Sequence, residues 1–303
     1  MTTMEKLTYY VLDVFTDRKY EGNQLSVVHC DRELELAQYH AIAREFGYSE
    51  TSFIAYSAEE KALKVRSFTP AEFEVLGAGH NLLGAVCLAL LKKWDIFNGQ
   101  QGRPWVVIGD TKIPLLITEK AGQFYVAMQQ RPATVLPSIP ASVIAPAIGL
   151  SEADLRPHGW EIAVVQTEVP HLMVPVRDRI CLQQAVPNKA RLKEISEKYG
   201  FEGFYLFATD QPNTAYAVET RFFNPGMGID EDPATGTAAG PLAGYLEQLG
   251  HLSRNTDYRI LQGTAVQHPS SITVNVQEEG IWVSGSSVIV MEGTLYLDEK
   301  NPQ

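Results

Sequence analysis

Two short runs, GAGHN from Gly77 and ATGTA from Ala234, place glycines just ahead of small-residue apolar stretches. A glycine turn that enters a helix presents unpaired backbone N–H groups and the positive end of the helix dipole, which together hold an anion such as a carboxylate. Gly79 and Gly236 are the glycines that would do so, although either one alone serves equally well as a tight packing turn. His80 follows Gly79, so its imidazole projects from the first turn of the helix, where the dipole favours a neutral, hydrogen-bonding ring. Such a ring can orient a substrate or share a proton with it, and an isolated histidine is as often structural. Asp232 closes a run of three acids, Asp230, Glu231 and Asp232, that leads into the second turn. Such a cluster commonly solvates a loop, and Asp232 before Pro233 also fits a helix N-cap with proline in the first turn. Glu50, in YSETSF, reads by itself as a surface acid, since most glutamates are exposed.

The elements that must position these groups follow from the hydrophobic pattern. Strand-like runs rich in β-branched and aromatic residues occupy 9–15, 51–56, 63–68, 113–118 and 124–128, interrupted by helical spacing over 34–46 and after Gly79. Beyond the proline-bearing stretch 131–142, helices are expected over 142–148 and 190–199, with strands over 171–176, 203–207, 215–223, 272–276 and 281–283. The boundary between two domains is placed near residue 130, giving 1–130 and 131–303. Strands this closely spaced leave no room for a crossover helix after each, so mostly antiparallel or mixed sheets are expected rather than a doubly wound parallel one. The two halves also share a pattern: RSFTP at Arg66 and RFFNP at Arg221 are each followed by an acidic segment, a glycine turn and a small-residue apolar helix. That shared order points to an internal duplication.

At 303 residues the chain can bury two cores, and its composition is that of a globular protein. The net charge of −11 opposes attraction to nucleic acid or anionic lipid. The longest apolar run, around 82–91, is about half of what a bilayer span needs. Cys30, Cys87 and Cys181 stand far apart, offering neither a disulfide framework nor a metal knuckle, so no metal is expected and a reducing cytoplasm fits.

Taken together, YVLDVFTDRKYEGNQLSVV near the start, AREFGYSETSF, RSFTP through GAGHNLLG, RFFNP through EDPATGTAAGPL, and LQG at Leu261 to Gly263 resemble the PhzF family of phenazine-biosynthesis isomerases and epimerase-like proteins. The resemblance spans essentially the whole chain. It implies an α+β fold of the diaminopimelate epimerase type: two similar domains, each a curled mixed sheet around a central helix, with the active site between them and the last strand, about 287–297, returning to the first domain. It further implies Glu50, His80 and Asp232 as catalytic residues, and Gly79, Gly236, Thr237 and Asn23 as substrate-binding ones. Asn81 and Gln24 depart from the family pattern and bear on the shape of the pocket. The related epimerases use two cysteines in the corresponding turns; Ala78 and Thr235 hold those places here, which excludes two-thiol racemisation.

The expected function is a cofactor-independent isomerase that moves a proton within a small carboxylate-bearing substrate, with Glu50 as the acid/base. Such catalysis works best if burial brings the Glu50 pKa toward neutrality. An epimerase acting next to a carboxylate, with Glu50 and Asp232 as bases, and a non-catalytic small-molecule binder are the alternatives. The resemblance also suggests a homodimer.

Overall fold

The computed structural model describes residues 5–77, 79–97, 99–210 and 215–297. Ala78 lies outside them. The fold is of the α+β class, with mixed sheets and few helices, and the chain divides into two compact units. One unit comprises 1–20, 24–126 and 286–303, and the other 21–23 and 127–285.

In the first unit, Lys6–Val14 pairs antiparallel with Ser287–Tyr296, with a register shift between Val11 and Leu12. Asn23–His29 runs parallel to Thr51–Ser57, which pairs antiparallel with Ala62–Phe68; this last strand runs parallel to Trp105–Ile108, itself antiparallel to Thr111–Lys120. Helix α1, Leu36–Phe46, buries Tyr39, Ile42 and Ala43 and stops at Gly47, whose φ of 69° is a left-handed cap. Tyr39 stacks on Phe68 with centroids 5.0 Å apart. Helix α2, His80–Leu91, is apolar all round and buried from His80 to Ala89, as a helix enclosed by its own sheet must be. A Cβ at Gly84 would stand 2.5 Å from Leu25 Cδ2, so glycine lets the helix sit directly on the strand.

The second unit repeats this order. Pro170–Pro175 runs parallel to Gly203–Ala208, which pairs antiparallel with Val218–Asn224; this strand runs parallel to Asp257–Gln262, itself antiparallel to Ser270–Val276. The alternation of parallel and antiparallel neighbours matches that of the first unit strand for strand, with RSFTP and RFFNP ending the equivalent strands. Helices α3 (Ala141–Ile144), α4 (Arg179–Gln184) and α5 (Lys189–Tyr199) supply side chains to a core formed with Leu172, Val174, Phe204 and Leu206. Helix α6, Gly236–Gln248, is the enclosed one, buried from Ala238 to Leu246.

One expected helix is cut short. Over 142–148 the α-helix ends at Ile144 and continues only as a single 3-10 turn through Ala147. Pro146 has no N–H for the helical ladder, and its ring crowds the preceding turn.

Candidate active site

Each unit carries one constellation of the expected residues. In the first unit, Glu50 immediately precedes the strand Thr51–Ser57. That strand is anchored at its first residues: Thr51 and Ser52 are fully buried, with Thr51 Oγ1 2.7 Å from Ser26 Oγ and Ser52 Oγ 2.9 Å from Ser67 Oγ. The anchoring draws Glu50 inward until its side chain is only 14% exposed, so it is not the surface acid that its type suggests. His80 Nδ1 stands 3.9 Å from Glu50 Oε2, and its Nε2 is 3.5 Å from Ser49 Oγ. Burial lowers the His80 pKa to about 4, so at neutral pH the pair is a neutral imidazole beside a carboxyl group and not a salt bridge. At 3.9 Å the two are too far apart for a direct hydrogen bond, yet within reach of a proton relayed by a third atom.

The glycine turn that delivers His80 is closed by Asn81. Its Oδ1 accepts from the Gly79 N–H at 2.9 Å and the Leu82 N–H at 2.8 Å, and its Nδ2 donates to Gly77 O at 3.1 Å. The departure at position 81 is thereby explained as a local cap. It also engages the Gly79 N–H, one of the donors expected to meet an anion.

In the second unit the three successive acids have three different environments. Asp230 reaches Lys189 at 2.5 Å on the surface, Glu231 is gripped by both arms of Arg221, and Asp232 is buried. Asp232 is not a helix cap: it ends the strand Ile229–Asp232, and the residue at the N-cap of α6 is Thr235. Its Oδ1 accepts from Asn23 Nδ2 at 2.7 Å, and its Oδ2 accepts from Thr235 Oγ1 at 2.6 Å. Asn23 also donates to Ala234 O, which fixes its amide orientation. Burial raises the Asp232 pKa to about 6, against the opposing pull of the Thr235 and Asn23 hydrogen bonds. This carboxyl can therefore gain and lose a proton near neutrality. Gly236 opens α6, and its carbonyl accepts from Gln130 Nε2 at 2.9 Å. Thr237, half-buried, follows in the first turn.

The structure thus brings Glu50 to His80, and Asn23 to Asp232. Ser49, Thr235 and Gln262 were not singled out as site residues. Ser49 adjoins Glu50 and was readable as a hydroxyl in the same run, whereas the role of Gln262, within the LQG run, depends on contacts made only in the fold. Among the described residues no cluster of three or more metal-ligating side chains occurs.

The sequence model of the phenazine biosynthesis-like protein family PhzC-PhzF matches residues 12–293. A solved structure of a Pseudomonas aeruginosa protein described as a predicted epimerase superposes with a TM-score of 0.80 at 31% identity, covering 95% of this chain and 99% of the other. An uncharacterized isomerase of Salmonella typhimurium is 32% identical over 295 residues, 93% of this chain and 95% of that protein. The trans-2,3-dihydro-3-hydroxyanthranilate isomerase of Pseudomonas aeruginosa is 26% identical over 296 residues, 95% of this chain and 99% of that protein.

Proposed function

The chain belongs to the phenazine biosynthesis-like PhzC-PhzF family and is an enzyme of its isomerase type; from that premise we propose that it moves a proton within a small carboxylate-bearing substrate, with Glu50 as general base and then general acid. The observation that carries this is the inward-drawn Glu50 carboxyl beside the neutral His80 imidazole. Glu50 takes a proton from a carbon acidified by an adjacent double bond or carboxyl group. It then returns that proton at another carbon or at oxygen of the same molecule, so the substrate is isomerised and the enzyme restored. His80 orients the substrate and passes a proton, and Asp232 takes part in the same two tasks. Backbone N–H groups of the glycine turns and the Thr237 hydroxyl hold the carboxylate, whereas Asn23, whose two amide hydrogens go to Asp232 and Ala234, acts on the substrate only through Asp232. No helix among the described residues is long and apolar enough to cross a membrane. We assign the protein to the cytoplasm, where its free cysteines stay reduced, and assign it a homodimeric state.

The test is incubation in heavy water with a panel of small unsaturated or amino-substituted carboxylic acids. The panel begins with trans-2,3-dihydro-3-hydroxyanthranilate, the compound in the name of the Pseudomonas relative, and deuterium uptake is followed by mass spectrometry. Glu50→Gln is expected to lower uptake by about 10²- to 10⁴-fold; uptake undiminished in that variant would overturn the mechanism. A second reading, epimerisation with two bases, is favoured by the Asp232 pKa of about 6, which gives the molecule another acid able to work near neutrality. Deuterium incorporated at a stereocentre with inversion would select it.

A further inference from the structure

Gln262 is fully buried in the second unit, at the end of the strand Asp257–Gln262 and within the LQG run. All four of its hydrogen-bonding positions are filled. Its Oε1 accepts from Tyr205 OH at 2.8 Å and from the Thr235 backbone N–H at 3.2 Å. Its Nε2 donates to the Asp232 backbone carbonyl at 2.8 Å and to Thr235 Oγ1 at 3.0 Å. Because one partner on each side is a backbone group with a fixed role, the amide can stand in only one orientation. Thr235 Oγ1 therefore accepts a hydrogen bond from Gln262 and must direct its own hydrogen to Asp232 Oδ2. With Asn23 donating to the other oxygen, Asp232 is an acceptor on both sides.

The outer members hold this polarity in place. Tyr205 is completely buried, and because the Gln262 amide oxygen can only accept, the Tyr205 hydroxyl proton points to Gln262. Burial above all, with the Asp232 charge adding to it, lifts its pKa well above the usual tyrosine range, so it remains a donor. Gly263, at φ 82°, carries the chain so close to the turn that a Cβ there would stand 2.6 Å from Pro233 O. The LQG run is thus packed directly against the turn that carries Asp232.

We infer that Gln262 is a positioning residue: its amide, oriented by Tyr205 and by the backbone of the turn, makes the Thr235 hydroxyl donate to Asp232 and so reserves for an incoming proton only the lone pairs that Thr235 and Asn23 do not face. The catalytic meaning of this rests on the reading that Asp232 exchanges a proton with substrate. The arrangement is tested apart from activity, by carbon-13 NMR titration of the aspartate carboxyls in the full chain, with the Asp232 signal assigned by its loss in Asp232→Asn. Gln262→Met frees the Thr235 hydroxyl to rotate, and the Asp232 pKa is expected to rise by about one pH unit. Thr235→Val removes the donor and gives a similar rise, Thr235→Ser restores the native value, and Gln262→Met adds nothing in the Thr235→Val background because both act on one hydrogen bond. A folded Gln262→Met protein with an unmoved Asp232 pKa, or additive shifts in the double variant, would overturn the inference. Should Gln262→Met fail to fold, Gln262→Asn, which draws the amide back from Thr235, takes its place; a rise in the Asp232 pKa supports the inference and no rise overturns it. If the pKa moves as expected while Asp232→Asn leaves substrate deuterium exchange intact, Gln262 still sets the proton affinity of Asp232, and the catalytic reading of Asp232 fails instead.

Discussion

Arg66 and Arg221 each fork onto a glutamate on the way to a glycine turn, Arg66 onto Glu74 at 2.7 and 2.9 Å and Arg221 onto Glu231 at 2.8 and 2.7 Å. The first pair is about one-third exposed, with side-chain accessibilities of 34% and 32%, and the second is at 9% and 12%. Both guanidinium groups lie over rings, Arg66 over Tyr39 and Phe68 and Arg221 over Phe223, but Arg221 also donates to the carbonyls of Leu182 and Ala185 around the end of α4. Beyond the forks the two turns diverge further. The first is capped by its own Asn81 and presents an imidazole with loosely spaced neighbours. The second is held from behind by Gln262 and presents a carboxyl with both oxygens bonded. The repeated pattern thus carries two turns with different hydrogen bonding. At the first, His80 makes only long approaches, 3.5 Å to Ser49 and 3.9 Å to Glu50; at the second, both Asp232 oxygens accept short hydrogen bonds.

The largest effect that should separate the turns is on stability. Arg221→Met leaves the largely enclosed Glu231 without its partner and is expected to cost about 3 kcal/mol, whereas Arg66→Met, at a more exposed pair, should cost about 1 kcal/mol. Urea unfolding of the two variants measures the difference, and equal losses would break the comparison.

The turns should also respond to pH with opposite signs. His80 has its pKa lowered to about 4 by burial, so its contribution to stability is present above about 6.5 and lost as the pH falls through about 4, a loss reaching about 3 kcal/mol. His171, buried with neither ring nitrogen bonded among the described residues and its pKa lowered to about 3, adds to the same acid limb. Asp232, raised to about 6, contributes stability below its unfolded value near 3.8 that is lost as the pH rises through about 6, again by about 3 kcal/mol. Unfolding midpoints followed across pH should therefore flatten on the acid side in His80→Gln and on the neutral side in Asp232→Asn. The smallest expected effect is that of Asn81→Ala, which removes the cap of the first turn and should lower stability by about 1 kcal/mol in thermal unfolding.

The repeated RSFTP and RFFNP runs were legible because two copies in one order carry more information than either alone. The expected strands were readable for the same physical reason that they form, since alternating or continuous β-branched and aromatic residues fill a half-buried or buried sheet. The inward position of Glu50 was not readable from its own type. It depends on Ser26, Ser52 and Ser67 anchoring the strand that follows, and those contacts exist only after strands distant in sequence have paired. Asp232 was open to two readings, because an acid before proline suits a cap and a buried site alike; the strand that delivers it decides between them. The polarity of the Tyr205, Gln262, Thr235 and Asp232 chain was the least legible, since its members are separated by up to 57 residues and no local spacing signals them.

The strand Ser287–Tyr296 lies beside Lys6–Val14, and Leu297 N–H donates to Glu5 O at 2.9 Å. A ribosome therefore finishes all of 127–285 before it makes the strand that the first unit needs to complete its sheet. During synthesis the half that begins first must finish last, with the Lys6–Val14 edge open to strangers until the final strand arrives.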